Sequence, residues 1–257
     1  MLDILINNFV TFLFIFLRML GMFIAAPLYG TSLLPTTIKI LLSIFLAYIV
    51  LISLNIKAPV IELTYWHISF TAAKELIVGM MIGFFMQLIF WGVTYGASLM
   101  GFDLGLSMAQ LFDPTQDLSI DVVSRLFNIF TILIFLLMNG HIFLVSAVYQ
   151  SFKIIPISGF NYTKLTNQVL VKQAANVFII AVKIASPIMV TFFLINIAEG
   201  IMSKIIPQMQ VFFVLYPLRI GIGFLLISMS MVYFFYIIKE LLKLHERNLF
   251  TLMRAMG

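Results

Sequence analysis

GMMIGFFMQLIFWGVTYGASLMGFDLGLSMAQLFDPTQDLSID, residues 79–121, holds six of the chain's fourteen glycines between Gly79 and Gly105. They fall in three pairs: Gly79 and Gly83, Gly92 and Gly96, Gly101 and Gly105. A glycine on every fourth residue leaves a helix face bare and lets another helix approach its backbone. At about 100° per residue, Gly79, Gly83, Gly101 and Gly105 share one side of a straight helix, and Gly92 and Gly96 lie opposite. Such a helix has two close-packing faces and is wedged between neighbours. The stretch ends in Leu111-Phe112-Asp113-Pro114, with acids at Asp113, Asp117 and Asp121. An irregular acidic backbone cannot lie in lipid, so Ser107 to Asp121 belongs in water or at a cavity inside protein. This helix and loop are the expected functional centre.

Working outward, 63% of the 257 residues are hydrophobic and only 10% are charged. Soluble domains average about 25% charged residues. With a mean hydropathy of +1.14 and long unbroken apolar stretches, the expected class is an all-α integral membrane protein, not a β-barrel of alternating strands. There is no cysteine, which excludes disulfides and thiolate metal sites. Asp3 and Arg18 within the first apolar run do not suit a cleaved signal, so an uncleaved first helix is expected.

About six hydrophobic helices are expected, over 4–26, 38–56, 76–100, 126–150, 174–198 and 209–238. With the N-terminus inside, the inner regions carry Lys57, Lys74, Lys153, Lys164, Lys172, Lys239, Lys243, Arg247 and Arg254, and the outer ones Lys39, Arg125 and Lys204. Nine against three favours both termini in the cytoplasm. Candidate buried charges are Arg18, Glu75, Lys183, Glu199 and Arg219. Arg18 either snorkels or is buried against a partner group inside an assembly; burial is favoured. Glu75 is also read as a solvated acid at a helix start. Tyr65 and Trp66 read as interface anchors. Asn139-Gly140-His141 reads as a kink or a contact point. Ser151 to Lys172, with Pro156 and Gly159, reads as the best internal boundary. Pro187 should kink its segment, and Pro217 with Arg219 should interrupt the last one, where Gly221 and Gly223 allow close packing. Lys239 to Gly257 reads as a basic amphipathic tail at the membrane surface or on a partner.

No catalytic motif is present: no Gly-x-Ser-x-Gly, no His-Glu-x-x-His and no phosphate loop. His141 lacks neighbours at metal-ligand spacing, and His67 reads as an interfacial side chain. No enzyme, cofactor or metal is expected. A secondary transporter working alone is the competing reading, since broken helices and buried charges suit one, although no convincing internal repeat is found.

The order of these marks resembles one family over the whole chain: the FliR component of the flagellar type III export gate, with its injectisome counterpart (SctT/SpaR). The residues that carry it are Arg18, Gly21, Pro27, Gly30, Pro35 and Lys39; Glu75, Gly79, Gly83, Gly92, Gly96, Gly101, Gly105, Ala109 and Asp113-Pro114; Asn139-Gly140-His141; and Pro187, Gly200, Pro207-Gln208 and Pro217. Lys204, Gln210 and the missing glycine after Asp-Pro depart from the family's pattern. The resemblance implies bent, kinked helical hairpins in a hetero-oligomeric helical gate in the bacterial inner membrane, partly on its periplasmic side. It implies several FliP and FliQ subunits, FlhB and FlhA as partners, unfolded export substrates as cargo, and no nucleic acid. It divides the chain into a FliP-like part with the pore loop (1–160), a FliQ-like hairpin (161–238) and the tail (239–257). Mapped onto this sequence, the family's pore-plugging loop takes in Gly105, Leu106, Met108, Leu111, Phe112, Asp113, Pro114 and Asp117.

Overall fold

The computed structural model describes residues 2–30, 34–54, 65–106, 122–205 and 211–257. These form seven helices: α1 (Leu2–Ala25), α2 (Thr36–Leu54), α3 (Tyr65–Asp103), α4 (Val122–Leu137), α5 (Gly140–Ile154), α6 (Lys164–Ile205) and α7 (Val211–Met256). Five helices are long and apolar enough to cross a membrane, and a sixth span results if the bent pair α4–α5 is counted as one. The protein is an all-α membrane protein.

The bend between α4 and α5 is 64°. It falls at the expected Asn139-Gly140. Asn139 takes the left-handed conformation, φ 58°, which asparagine tolerates better than most residues. Its N–H donates to the Leu136 carbonyl at 3.0 Å, while its own carbonyl accepts from Ile142 and Phe143 at 3.0 and 2.9 Å. The corner therefore closes one helix and opens the next. The Phe135 ring occupies the place where a Cβ on Gly140 would stand.

Three helices outrun their apolar segments. α3 has 39 residues, about 58 Å at 1.5 Å per residue. Tyr65 and Trp66 are its exposed first turn, and Glu75 lies well inside it, so the reading of Glu75 as a solvated acid at a helix start is corrected. α6 begins at Lys164, which shortens the expected loop of 151–172. α7 runs on past Lys239 to Met256. Hydropathy marks only the apolar middle of a helix; good helix formers such as Lys, Glu and Leu extend it into polar sequence.

Pro217 does not interrupt α7. It sits in the second turn, where it removes one backbone bond near an end that already lacks several. Pro187 lies inside α6 without ending it. It cannot donate to the Lys183 carbonyl, which accepts instead from Ser186 Oγ at 3.1 Å.

The chain divides into two compact units. The first comprises 1–88, 135–174 and 243–257. Its core holds Phe14, Met19, Met22 and Phe23 of α1, Val78, Ile82 and Phe85 of α3, Leu144 and Val148 of α5, and Leu249, Leu252 and Met253 of α7. The apolar side of the tail is thus buried in the chain itself, not left free for a membrane surface. His245 belongs to the same core, with Nε2 3.0 Å from the Phe85 carbonyl. Most of α2 is unburied, with Leu41, Phe45, Tyr48 and Ile52 exposed in one stripe.

The second unit comprises 89–134 and 175–242. Val93, Ala97 and Met100 of α3, Phe127 of α4, Ile184, Ile188 and Phe192 of α6, and Phe234 and Ile238 of α7 form its core. Phe127 and Phe234 meet edge to face with ring centres 4.9 Å apart, a favoured aromatic geometry. A polar seam runs between α3 and α4: Ser98 Oγ is 2.8 Å from Ser124 Oγ, and Asn128 Nδ2 donates to Thr94 Oγ1 at 3.4 Å.

Candidate functional site

The glycines set how closely helices approach. In the first unit, Gly79 and Gly83 lie on the backbone of α1. A Cβ on Gly83 would come within 2.7 Å of both the Ala26 nitrogen and the Met22 carbonyl, and Gly79 is covered by the Arg18 carbonyl. Gly21 of α1 returns the contact, lying against the Leu76 carbonyl and the Met80 nitrogen. In the second unit, Gly92 and Gly96 face α6. A Cβ on Gly92 would stand 2.9 Å from Ile180, and one on Gly96 would stand 2.7 Å from the Ala181 carbonyl. Gly101 is buried. Gly223 packs on Leu104, whereas Gly221 and Gly200 face open space.

That close approach brings Arg18 and Glu75 together. Both are fully buried, with Arg18 Nε donating to Glu75 Oε2 at 2.6 Å and Nη2 at the same distance from the same oxygen. Nη1 donates to Ser151 Oγ and to the Ile155 carbonyl, each at 3.0 Å. The guanidinium lies 4.1 Å from the centre of the Phe152 ring. Oε1 of Glu75 accepts from the Ser158 N–H at 3.1 Å. Ser158 is left-handed, φ 70°, in the turn closed by the Gly159 N–H to the Pro156 carbonyl. One ion pair therefore ties together α1, α3, α5 and the turn after α5. A buried pair is stable only when its remaining lone pairs and protons are also used, as most are here. The snorkelling reading of Arg18 is excluded, and its partner lies within its own chain.

A second polar cluster stands at the root of the acidic loop. Arg219 Nε donates to the Asp103 carbonyl at 2.7 Å, and Nη1 is 3.4 Å from Glu199 Oε2. Both side chains are nearly buried, 12% exposed. Arg219 also lies 5.2 Å from the Phe192 ring centre. One turn of α7 away, Tyr216 Oη donates to the Gly105 carbonyl at 2.5 Å. Gly105 has φ 83°, and the Tyr216 ring fills the space beside it. The last carbonyl of α3 and the turn that follows it are thus held by two side chains of α7. The rest of the expected plug, Met108, Leu111, Phe112, Asp113, Pro114 and Asp117, lies outside the described residues; Leu106 is half-buried.

Of the predicted buried charges, Arg18 with Glu75 and Arg219 with Glu199 come together. Lys183 is a correction: it is exposed, because the buried stripe of α6 follows Ile180, Ala181, Ile184, Ile188 and Phe192 and Lys183 falls beside it. Ser151, Ser158 and Tyr216 were missed. Small polar residues near a buried arginine are a usable signal, whereas nothing local marks Tyr216. Among the described residues no three His, Cys, Asp or Glu side chains could hold a metal ion.

Such an arrangement defines an all-α membrane protein whose charged groups lock helices and a loop root together. The chain belongs to the bacterial export proteins, family 1, whose model matches residues 9–244. It is similar to the flagellar biosynthetic protein FliR of Aquifex aeolicus, at 31% identity over 86% of this chain and 85% of that one. The corresponding FliR of Bacillus subtilis is 27% identical over 98% of both. The surface presentation of antigens protein SpaR of Shigella flexneri is 26% identical over 86% of this chain and 85% of that one.

Proposed function

We propose that the chain is a subunit of the type III protein export gate in the bacterial inner membrane, working for a flagellum. In this reading it joins several FliP and FliQ copies, with FlhB and FlhA, and lines the channel through which unfolded export substrates enter. The loop from Gly105 to Asp117 plugs the resting channel, and Leu106, Met108, Leu111 and Phe112 supply an apolar constriction that closes by filling and dewetting. Residues 1–160 act as the FliP-like part, 161–238 as the FliQ-like hairpin and 239–257 as the tail.

The observation that carries this reading is the kinship to FliR over 98% of both chains. The hold of Arg219 and Tyr216 on Asp103 and Gly105 supports the loop's part in it, because a plug needs a fixed root. The exposed apolar stripe of α2 suits packing on a neighbouring subunit. The similarity to SpaR favours an injectisome gate as the second reading; a deletion strain that keeps its filaments but loses effector secretion would select it.

Native mass spectrometry of the tagged chain, extracted in mild detergent, should give one copy bound to several copies of two small hydrophobic partners. A partner-free particle would overturn the gate. Within an assembled gate, removing Leu106 to Phe112 should make cells leak small ions. Unchanged leakage would remove the plug while leaving the gate.

A further inference from the structure

Lys183 stands in an apolar stretch of α6, exposed, and forms no ion pair among the described residues. A lysine at the edge of an apolar span sits best at the headgroup layer, beside an anionic group. The surroundings say what kind. A surface cavity of about 480 Å³ is lined by Lys183 and Ser186 of α6 and by Tyr233, Tyr236 and Glu240 of α7, with two aliphatic residues. Lys183 and Glu240 thus border one cavity with opposite charges and do not pair. Three hydroxyl-bearing residues, Ser186 of α6 and Tyr233 and Tyr236 of α7, line it as well. A ligand that satisfies both ends carries an anion and a cation a few atoms apart.

The level in the hairpin is equally specific. Lys183 lies 22 residues before the end of α6 at Ile205, and Tyr233 lies 22 residues after the start of α7 at Val211. That is about 33 Å of helix, against about 30 Å for a hydrocarbon core. With Ile205 and Val211 at one face of the bilayer, the cavity falls at the opposite headgroup layer, where tyrosines are enriched. Beyond the cavity toward the tip both faces become apolar. Along α6, Lys183 and Ser186 are followed at helical spacing by exposed Val190 and Leu194; along α7, Glu240, Tyr236 and Tyr233 are followed by exposed Met229 and Leu225. A polar end and an apolar continuation on the same two faces match the shape of a lipid.

We infer that this cavity binds the headgroup of a phospholipid bearing a primary amine, of the phosphatidylethanolamine type, with Lys183 and the hydroxyls on the phosphate and Glu240 on the ammonium. The acyl chains lie along Val190, Leu194, Met229 and Leu225. The binding stands apart from the export reading, since it is measured on the chain and its lipids alone.

The test is native mass spectrometry of the full chain, delipidated and then titrated separately with phosphatidylethanolamine, phosphatidylglycerol and inorganic phosphate. The wild type should prefer phosphatidylethanolamine over phosphatidylglycerol and ignore inorganic phosphate. Lys183→Met should weaken phosphatidylethanolamine binding about fivefold, and Lys183→Arg should restore it. Glu240→Gln should remove the preference between the two lipids while both still bind. Equal retention of both lipids by the wild type overturns the inference, as does unchanged binding in Lys183→Met. Binding of inorganic phosphate without lipid would assign the cavity to a free anion. A photo-crosslinker at Tyr236 that captures only protein would assign it to a neighbouring subunit. Both results overturn a lipid site.

Discussion

Arg18 shows how a single residue organises the first unit. Its guanidinium reaches a carboxylate on α3 and both a hydroxyl and a backbone carbonyl at the end of α5, a spread that the compact ammonium of a lysine could not match. Removing one member of a buried pair leaves the other charge uncompensated, at a cost of about 3–5 kcal/mol, whereas replacing both by apolar groups is often neutral. Arg18→Met should therefore unfold the detergent-solubilised chain at a clearly lower temperature than wild type. The double variant Arg18→Met/Glu75→Leu should recover most of that loss. Additive losses in thermal unfolding of Arg18→Met, Glu75→Leu and the double variant would show that the two charges do not act as a pair. The sequence offered both residues as buried charges but not as partners, because 57 positions separate them and only the crossing of α1 and α3 joins them.

Among the elements, the corner between α4 and α5 was legible as Asn139-Gly140-His141 because asparagine and glycine are the residues that accept what a sharp turn requires. Asn139→Gly should keep the corner, and Asn139→Val should destabilise the chain by about 1–2 kcal/mol, since a β-branched residue resists φ near +58°. Equal stability of the two variants in thermal unfolding would refute this account. The lengths of α3, α6 and α7 were not legible. Their polar ends lie outside any hydropathy window, and packing decides whether such ends stay helical. For α7 that packing is visible: Leu249, Leu252 and Met253 are buried, and the hydroxyls of Thr163 and Thr166 donate to the Ala255 carbonyl near its end at 3.0 and 2.8 Å. Pro217 misled for a related reason, since a proline near a helix start breaks little.

For the whole molecule, the excess of basic residues on one set of loops predicts orientation. The chain has no cysteine, so single introduced cysteines report sidedness without background. In cells with a permeabilised outer membrane, Thr115→Cys should react with an impermeant maleimide. Cysteine in place of Gly257 should react only after the inner membrane is opened. The opposite pattern would invert the topology and move the acidic loop to the cytoplasm. The large exposed apolar surface of α2, α6 and α7 is covered by lipid or by other chains, and composition gives the same hydropathy for either.

By itself the sequence determined the class, the apolar middle of each helix and the family, because these follow from local chemistry: hydropathy and motif order. It did not determine which charges meet or where helices end, nor that Tyr216 and Arg219 grip the root of the acidic loop. Those depend on contacts between residues far apart in the chain. A buried hydrogen bond of this kind is specified by how helices cross, and no single stretch of sequence records that crossing.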